Sequence, residues 1–365
     1  MAYAARALTR SSRIPNSYKQ GEPVVLVTGG AGYIGSHAAL CLQMSGFRVV
    51  VLDNLVQGHK NVVENALGAE LIVGDVGNRA LLDSIFAAYN VIAVMHFAAY
   101  AYVGESVTSP AKYYRNNVVS TLTLLEAMQA ANINTLIFSS TCATYGLPIT
   151  LPITEEHPQQ PINPYGISKL TVERMLSDFG RAYGLQFVIF RYFNAAGADP
   201  SGQLGENHQP ETHLIPRALQ VASGQLDAIS IFGTNYPTPD GTCIRDYIHV
   251  SDLARAHVAG LQHLLNGGSS EAFNLSNGDG FSVKEVIATV RNVTSRPVAV
   301  RECPRRLGDP PILVGSADKA SAVLNWQPQY AELKTIVAHA WQWFQIRQQV
   351  STLSRSCAHA SVRAM

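Results

Sequence analysis

The sequence of 365 residues has few cysteines, almost no excess of charge and no long hydrophobic run. Its five cysteines are scattered without a CxxC pair, which argues against a disulfide framework and favours a reducing, cytoplasmic compartment. A net charge of +1 offers no basic surface for a polyanion, so no nucleic-acid partner is expected. No apolar run approaches the ~20 residues that span a bilayer, so no membrane partner is expected either. These absences leave a small molecule as the expected ligand.

Both ends of the chain lack the patterning of the rest. Residues 1–22 hold four basic residues before the first acid, Glu22, a composition faintly like an organellar transit peptide. We expect a disordered extension there, which is the simpler interpretation. Residues 349–365 are rich in serine, alanine and arginine, and we expect them to form an aperiodic tail.

Short β-branched runs alternate with helical patterns from Pro23 onward, which is typical of βαβ units. The fold class predicted is α/β, a Rossmann-type doubly wound parallel sheet with a smaller C-terminal α/β lobe. We place the dinucleotide-binding domain at 23–193 and the substrate-binding lobe mainly at 194–348, with the chain recrossing between them. The predicted strands are 24–28, 48–53, 70–76, 91–97, 135–140 and 186–190.

A glycine-rich turn follows the first predicted strand. It reads TGGAGYIG over 28–35, with Gly29, Gly32 and Gly35 spaced as in a dinucleotide-binding loop. Glycine permits the tight turn, and the helix N-terminus that follows favours a pyrophosphate. Asp53 closes the second predicted strand 18 residues beyond Gly35, where a carboxylate can accept hydrogen bonds from ribose hydroxyls and repel a 2′-phosphate. The pattern predicts NAD rather than NADP.

A second motif, YxxxK, places Tyr165 and Lys169 on one face of a helix that begins near Pro164. A lysine ammonium beside a tyrosine favours the phenolate, which would bring the Tyr165 pKa toward the working range of a base. Thr141 closes a Ser-Ser-Thr run at the end of the fifth predicted strand, where its hydroxyl could bond a reacting sugar oxygen. These three residues are the candidate catalytic set.

Together the motifs resemble the UDP-glucose 4-epimerases of the extended short-chain dehydrogenase/reductase family over about residues 23–345. The resemblance implies that hydride passes from sugar C4 to tightly bound NAD while Tyr165 takes the 4-hydroxyl proton. The 4-ketose then turns over and takes the hydride back on its other face. The motifs that carry the resemblance are TGGAGYIGSH (28–37), HFAAYAYVGES (96–106), YYRNN (113–117), FSSTCATYG (138–146), NPYGISK (163–169), RYFNAAGA (191–198) and GTCIRDYIHVSDLA (241–254).

The resemblance also implies the residues that hold each ligand. Ala101 stands where some relatives carry lysine, which removes one cofactor contact. Besides the catalytic set, the implied NAD contacts are Gly29, Gly32, Tyr33, Ile34, Gly35, Asp53, Asn54, Asp75, Val76, Phe97, Ala98, Asn116, Ser139 and Tyr192. Besides Thr141 and Tyr165, the implied UDP-sugar contacts are Asn194, His213, Leu214, Phe232, Arg245, Arg306, Asp309 and Leu313.

Glu206, His208, Glu211 and His213 could also be read as a metal cluster. We predict no metal there, because prolines interrupt the loop and epimerisation needs none. His213 remains a candidate phosphate contact.

Several alternatives share this fold. Nucleotide-sugar dehydratases carry an Asp-Glu pair after the strand-end threonine, and Cys142 and Ala143 cannot supply that acid-base chemistry. Decarboxylation of UDP-glucuronate is excluded less firmly. Leu313 matches a position that gates N-acetyl groups, so UDP-N-acetylhexosamine, UDP-pentose and UDP-glucuronate stay open as substrates. A catalytically silent NAD-sensing or scaffold protein is the alternative of another class. The relatives are homodimers, which implies pairing through helices near 116–131 and 168–183.

Overall fold

The computed structural model describes residues 21–306 and 308–363, with side chains described as far as residue 349. The chain alternates strands and helices throughout. The strands are β1 (Pro23–Thr28), β2 (Arg48–Asp53), β3 (Glu70–Val73), β4 (Asn90–His96), β5 (Thr135–Ser139), β6 (Gln186–Tyr192), β7 (Asn194–Ala196), β8 (Ile229–Phe232), β9 (Ile244–His249), β10 (Glu271–Leu275), β11 (Gly280–Ser282), β12 (Val300–Cys303) and β13 (Ile312–Leu313).

The helices vary from one turn to more than eight turns. A π-helical turn at Val62–Leu67, another at Tyr114–Val119 and a 3-10 turn at Cys142–Thr144 supplement them. The α-helices are α1 (Tyr33–Met44), α2 (Arg79–Ala88), α3 (Val103–Thr108), α4 (Pro110–Tyr113), α5 (Ser120–Ala130), α6 (Pro164–Tyr183), α7 (Leu214–Ala222), α8 (Val250–Leu265), α9 (Val283–Thr294), α10 (Asp318–Leu324) and α11 (Leu333–Arg363).

Seven strands form one large sheet in the order β10-β6-β5-β4-β1-β2-β3, and every pairing within it is parallel. Helices cover both faces, with α1 and α8 on one core and α2, α5 and α6 on the other. This confirms the predicted doubly wound sheet. The strand order reverses between β1 and β4, so the crevice at their carboxyl ends is where such a fold binds its ligand.

A smaller lobe is built from short strands and helices of the second half. Strand β9 pairs with β11, β13 and β7, while β8 pairs with β12. Apolar residues of α7, α9 and α11 form a separate core beneath them. Strand β10 returns to the large sheet and pairs with β6. The boundary at 193 remains a prediction.

The structure departs from the predicted elements in several places. Strand β3 ends at Val73 rather than 76, so Asp75 lies in the turn beyond it. The helix expected near 116–131 begins within the π-helical turn and continues as α5. The predicted tail is corrected, because α11 runs to Arg363. Its stretch contains no glycine or proline, and its alanines and arginines favour helix.

The expectation of a disordered N-terminal extension lies outside the described residues, apart from its last two positions. No helix in the described part of the chain combines the length and the apolarity that crossing a membrane requires.

Candidate active site

The glycine loop joins β1 to α1 and has no room for a side chain at Gly29 or Gly35. Gly29 has φ of 75°, and a Cβ there would lie 2.6 Å from the backbone nitrogen of Ala98. A Cβ on Gly35 would lie 2.2 Å from the carbonyl oxygen of Gly29. Gly32 caps α1 without a side chain, which leaves the first N–H groups of the helix open. The loop therefore forms a bare helix N-terminus of the kind that binds a pyrophosphate.

Asp53 is buried at the end of β2 and faces this loop. Its carboxylate accepts hydrogen bonds from the backbone N–H of Ala31, at 3.0 Å, and of Leu55, at 2.8 Å. Burial raises the pKa of Asp53, and these two hydrogen bonds oppose the rise. The carboxylate thus ties the glycine loop to β2, a role that the sequence did not suggest, beside the ribose contact that it predicted.

The other predicted NAD residues lie along the same edge of the sheet. The Asn54 amide donates to the Asp75 carboxylate at 2.9 Å, so these two predicted contacts are paired with each other. The hydroxyl of Tyr33 donates to the carbonyl of Gly197 at 2.7 Å and is therefore already engaged. Asn116 donates to the side chain of Asn117 at 2.9 Å.

Three further predicted contacts pack close to the loop. Ile34 is packed against the core on one side of the sheet, and Val76 is buried in the core on the other side. The backbone N–H of Phe97 bonds the carbonyl of Thr28 at 2.9 Å, which sets the β4 end beside the glycine turn.

The catalytic candidates meet where β5 and β6 end and α6 begins. The Asn163 side chain caps α6 by accepting from the backbone N–H of Gly166 at 2.9 Å, which places Tyr165 in the first turn. The buried ammonium of Lys169 donates to the carbonyl of Ser139 at 2.7 Å. A direct hydrogen bond joins the hydroxyls of Ser139 and Tyr192. Ser139, Lys169 and Tyr192, which were predicted from three separate motifs, are thus joined by hydrogen bonds.

Burial dominates the electrostatics of this cluster. It raises the pKa of Tyr165, the nearby Tyr192 adds to the rise, and a hydrogen bond with Thr141 opposes it. Burial also lowers the pKa of Lys169 to about 7, against the attraction of Glu173. The sequence predicted that Lys169 lowers the Tyr165 pKa. Burial outweighs the other influences on the Tyr165 pKa, and the Lys169 ammonium donates to Ser139, so the lowering of the Tyr165 pKa by Lys169 stays a prediction.

On the substrate side the structure pairs the predicted residues. A guanidinium nitrogen of Arg245 lies 3.3 Å from the Asp309 carboxylate. The guanidinium of Arg306 stacks 3.9 Å from the centre of the Phe232 ring. The Asn194 amide donates to the carbonyl of Asp246 at 2.9 Å, which joins the start of β7 to β9.

Two more predicted contacts take their positions from packing. Leu313 packs against a small apolar cluster that contains Cys142, the residue after Thr141, so the predicted gate position lies next to the catalytic strand end. Leu214 begins α7, and His213 precedes it.

His213 does not stand free for a phosphate. Its Nδ1 lies 2.5 Å from a Glu206 oxygen and 3.2 Å from a Glu211 oxygen. With His208, these residues bring their ligand atoms within 4.8 Å of one another. The sequence predicted no metal at these residues, and their gathering was not foreseen, since it depends on how the loop folds back.

Sequence reasoning missed a buried ion pair behind the catalytic cluster. The Glu173 carboxylate accepts hydrogen bonds from two guanidinium nitrogens of Arg191, at 2.7 and 3.2 Å. It also accepts one from the hydroxyl of Ser140. Arg191 donates in addition to the hydroxyl of Tyr145 at 3.0 Å. Glu173 lies one turn after Lys169 on α6, and that spacing was the signal available in the sequence.

Comparison with known proteins agrees with this geometry. The chain is 52% identical over 319 residues to a UDP-glucose 4-epimerase of Halalkalibacterium halodurans, covering 87% of this chain and 95% of that protein. The structure of a UDP-glucose 4-epimerase from Brucella ovis in complex with NAD matches with a TM-score of 0.85 and 50% identity, covering 88% and 97% of the two chains. One from Bifidobacterium longum in complex with NAD+ and UDP matches with a TM-score of 0.83 and 40% identity, over 88% and 97%.

Residues 25–276 match the family described as the NAD dependent epimerase/dehydratase family. The predicted family resemblance and the predicted dependence on NAD are confirmed at this level. With more than half of its length matched and curated relatives above 50% identity, this chain belongs to the NAD dependent epimerase/dehydratase family.

Proposed function

We propose that this chain is a UDP-glucose 4-epimerase, an isomerase that interconverts UDP-galactose and UDP-glucose through a transient 4-keto sugar. The observation that carries the proposal is the cluster of Thr141, Tyr165 and Lys169 at the carboxyl edge of the large sheet, whose glycine loop has no room for a Cβ at Gly29 or Gly35. The similarity to named epimerases over 87% of the chain supports it.

The residues around the loop fit NAD. The positions of Gly29 and Gly35 have no space for a Cβ, so the backbone can approach a pyrophosphate closely, and Asp53 offers its carboxylate to the ribose. Held by Gly29, Gly35 and Asp53, a bound NAD would supply the hydride acceptor and donor for sugar C4 and would be regenerated in every cycle.

The protein's own groups move the proton. Tyr165 must act as its phenolate to accept the proton of the 4-hydroxyl, and Thr141, hydrogen-bonded to Tyr165, would contact the same sugar oxygen. Lys169, which lies beside Ser139, would hold the nicotinamide ribose. The proton returns to the sugar when the hydride does, so no proton or electron is lost over the cycle.

The UDP half is assigned to the smaller lobe. Arg245 and Arg306 are the diphosphate ligands, since a planar guanidinium donates two hydrogen bonds at once. Phe232 offers its ring beside Arg306. The remaining proposed contacts are Asn194, His213, Leu214, Asp309 and Leu313.

Three further proposals concern the pathway, the compartment and the assembly of the protein. Galactose metabolism is the proposed pathway and the cytoplasm the proposed compartment. A homodimer is the proposed assembly, through α5 and α6, which pack beside each other. Val119 and Leu122 at the start of this pair are exposed apolar residues, which supports their use as an interface.

The test is to incubate the purified chain with UDP-galactose, without added NAD, and to follow UDP-glucose by chromatography. The Tyr165→Phe variant is expected to lose about 100- to 10,000-fold in rate, because it keeps the ring but not the proton acceptor. The matched control is Tyr183→Phe, which alters an exposed tyrosine at the other end of the same helix and should keep full activity.

No conversion by the unaltered chain, even with NAD supplied, would overturn the galactose assignment. UDP-N-acetylhexosamines, UDP-pentoses and UDP-glucuronate would then be assayed in the same way. Inactivity toward all of them, with NAD still bound, would favour a silent NAD sensor.

A further inference from the structure

The loop between β7 and α7 carries four side chains that the proposed chemistry largely leaves unused. Glu206, His208, Glu211 and His213 place one ligand atom each within 4.8 Å of all the others. The two histidines and two carboxylates come from a stretch of eight residues that folds back on itself. Such a gathering of imidazole and carboxylate groups has the donor set of a transition-metal site.

Glu206 is the centre of the cluster. One oxygen of its buried carboxylate lies 2.9 Å from Nδ1 of His208 and 2.5 Å from Nδ1 of His213. The His213 nitrogen also lies 3.2 Å from Glu211. Two atoms bound to one zinc ion at 2.0–2.2 Å and a tetrahedral angle are about 3.4 Å apart. The separations of the ligand atoms, from 2.5 Å to at most 4.8 Å, would therefore change by up to about 1.4 Å to surround an ion.

The surrounding structure holds the two carboxylates in position. Trp343 of α11 donates its indole N–H to the backbone carbonyl of Glu206 at 3.1 Å. Glu211 accepts the backbone N–H groups of Thr212 and His213 at 2.7 and 2.8 Å. Outer contacts of this kind fix ligands before a metal arrives, which lowers the entropy lost on binding.

The cluster is also accessible. The His213 side chain is 47% exposed, whereas that of Glu206 is 6% exposed. His208 lines a groove beside the glycine loop, together with Tyr33 and Asn207. An ion can therefore reach the cluster from solvent and bind the buried carboxylate of Glu206.

We propose that Glu206, His208, Glu211 and His213 form a binding site for one divalent transition-metal ion, with zinc as the best match to two imidazoles and two carboxylates. Two carboxylates neutralise the ion. Calcium and magnesium are disfavoured, since they prefer all-oxygen ligands. Without an ion, protons on the two histidines bridge to the carboxylates. A bound ion takes the place of these protons, so binding releases them.

A bound ion would cross-link the loop to the start of α7. Because His213 is also a proposed phosphate contact, ion binding would remove it from the diphosphate. Binding to the folded state alone would raise the midpoint of thermal unfolding.

The experiment uses the full chain without an affinity tag and with its cofactor retained. After dialysis against a chelator, Zn²⁺ is added and binding is measured by calorimetry, with Co²⁺ as a visible-absorption probe. One ion per chain is expected. His213→Asn and Glu206→Gln should each weaken binding by at least about 10-fold, as loss of a ligand or its support does. His263→Asn, which removes an imidazole far along α8, is the matched control and should bind normally.

Two results would overturn the site: no saturable binding by the unaltered chain, or equal binding by the unaltered chain and both variants. If Glu206→Gln does not fold, His208→Gln replaces it, because that side chain is partly exposed. Zinc should raise the unfolding midpoint of the unaltered chain and the control by more than that of the ligand variants. The readout is metal binding, so it stands whether or not the chain epimerises UDP-galactose.

Discussion

Lys169 and Glu173 lie one turn apart on α6 and face different buried partners. Lys169 donates to the carbonyl of Ser139, whereas Glu173 neutralises Arg191. The attraction of Glu173 still reaches the ammonium and opposes the fall of the Lys169 pKa that burial causes. Glu173 therefore connects the catalytic cluster to a structural ion pair. The stability of the fold therefore depends on Glu173, which the YxxxK motif does not indicate.

Removal of the Glu173 charge tests how far the buried pair with Arg191 stabilises the fold. Glu173→Gln leaves the buried guanidinium of Arg191 without a counter-charge, and we expect the free energy of unfolding to fall by about 3–5 kcal/mol. The matched control is Asp178→Asn, which breaks the exposed pair with Arg181 and should cost less than about 1 kcal/mol. Urea unfolding measures both. Equal losses in the two variants would contradict the buried-pair interpretation.

Among the elements, six of the seven strands of the large sheet were predicted, and β10 was missed. Strands β1 and β2 are buried along nearly their whole length, so their composition alone marks them. The predicted strand at 70–76 was three residues longer than β3, because Gly74 and Asp75 were included with the apolar run before them. The end of α11 was missed, because a helix rich in polar residues has no apolar periodicity to detect.

The close contact between the glycine loop and α1 gives a prediction about an element junction. In Gly35→Ala the new Cβ would lie 2.2 Å from the carbonyl oxygen of Gly29, so the loop must shift. We expect a loss of about 1–3 kcal/mol of stability and of most of the retained NAD. NAD released by denaturation is measured by chromatography.

The control for that variant is Gly104→Ala. Gly104 lies in α3 with nothing within 4 Å of a Cβ and needs no positive φ. Full NAD content in Gly35→Ala would show that the loop tolerates displacement, contrary to the fit proposed for the pyrophosphate.

In the described part of the chain, burial lowers the pKa of four buried imidazoles, those of His37, His96, His249 and His257. The pKa values of His37 and His257 fall to about 4, and those of His96 and His249 to about 3. These groups are neutral in the folded chain and protonate near pH 6.5 once unfolded. Their contribution to stability is therefore complete above about pH 6.5 and is lost as the pH falls toward 4.

The His257→Gln variant isolates one of these groups. The unaltered chain gains one more proton on unfolding than the variant does between about pH 6.5 and 4, which corresponds to about 1.4 kcal/mol per pH unit. Urea unfolding at several pH values should thus show a shallower acid loss of stability in the variant. Parallel pH profiles would contradict the assignment, even if the variant is less stable overall.

The sequence by itself determined the parallel sheet, the glycine loop and the YxxxK helix, because strands, turns and helix faces are set by residues close together in the chain. The tertiary structure decided what surrounds them. Glu173 meets Arg191 and Glu206 meets two histidines only because a helix packs on a strand and a loop folds back. Burial is a sum over distant neighbours, so the pKa shifts of Tyr165 and Lys169 could not be read from their motif.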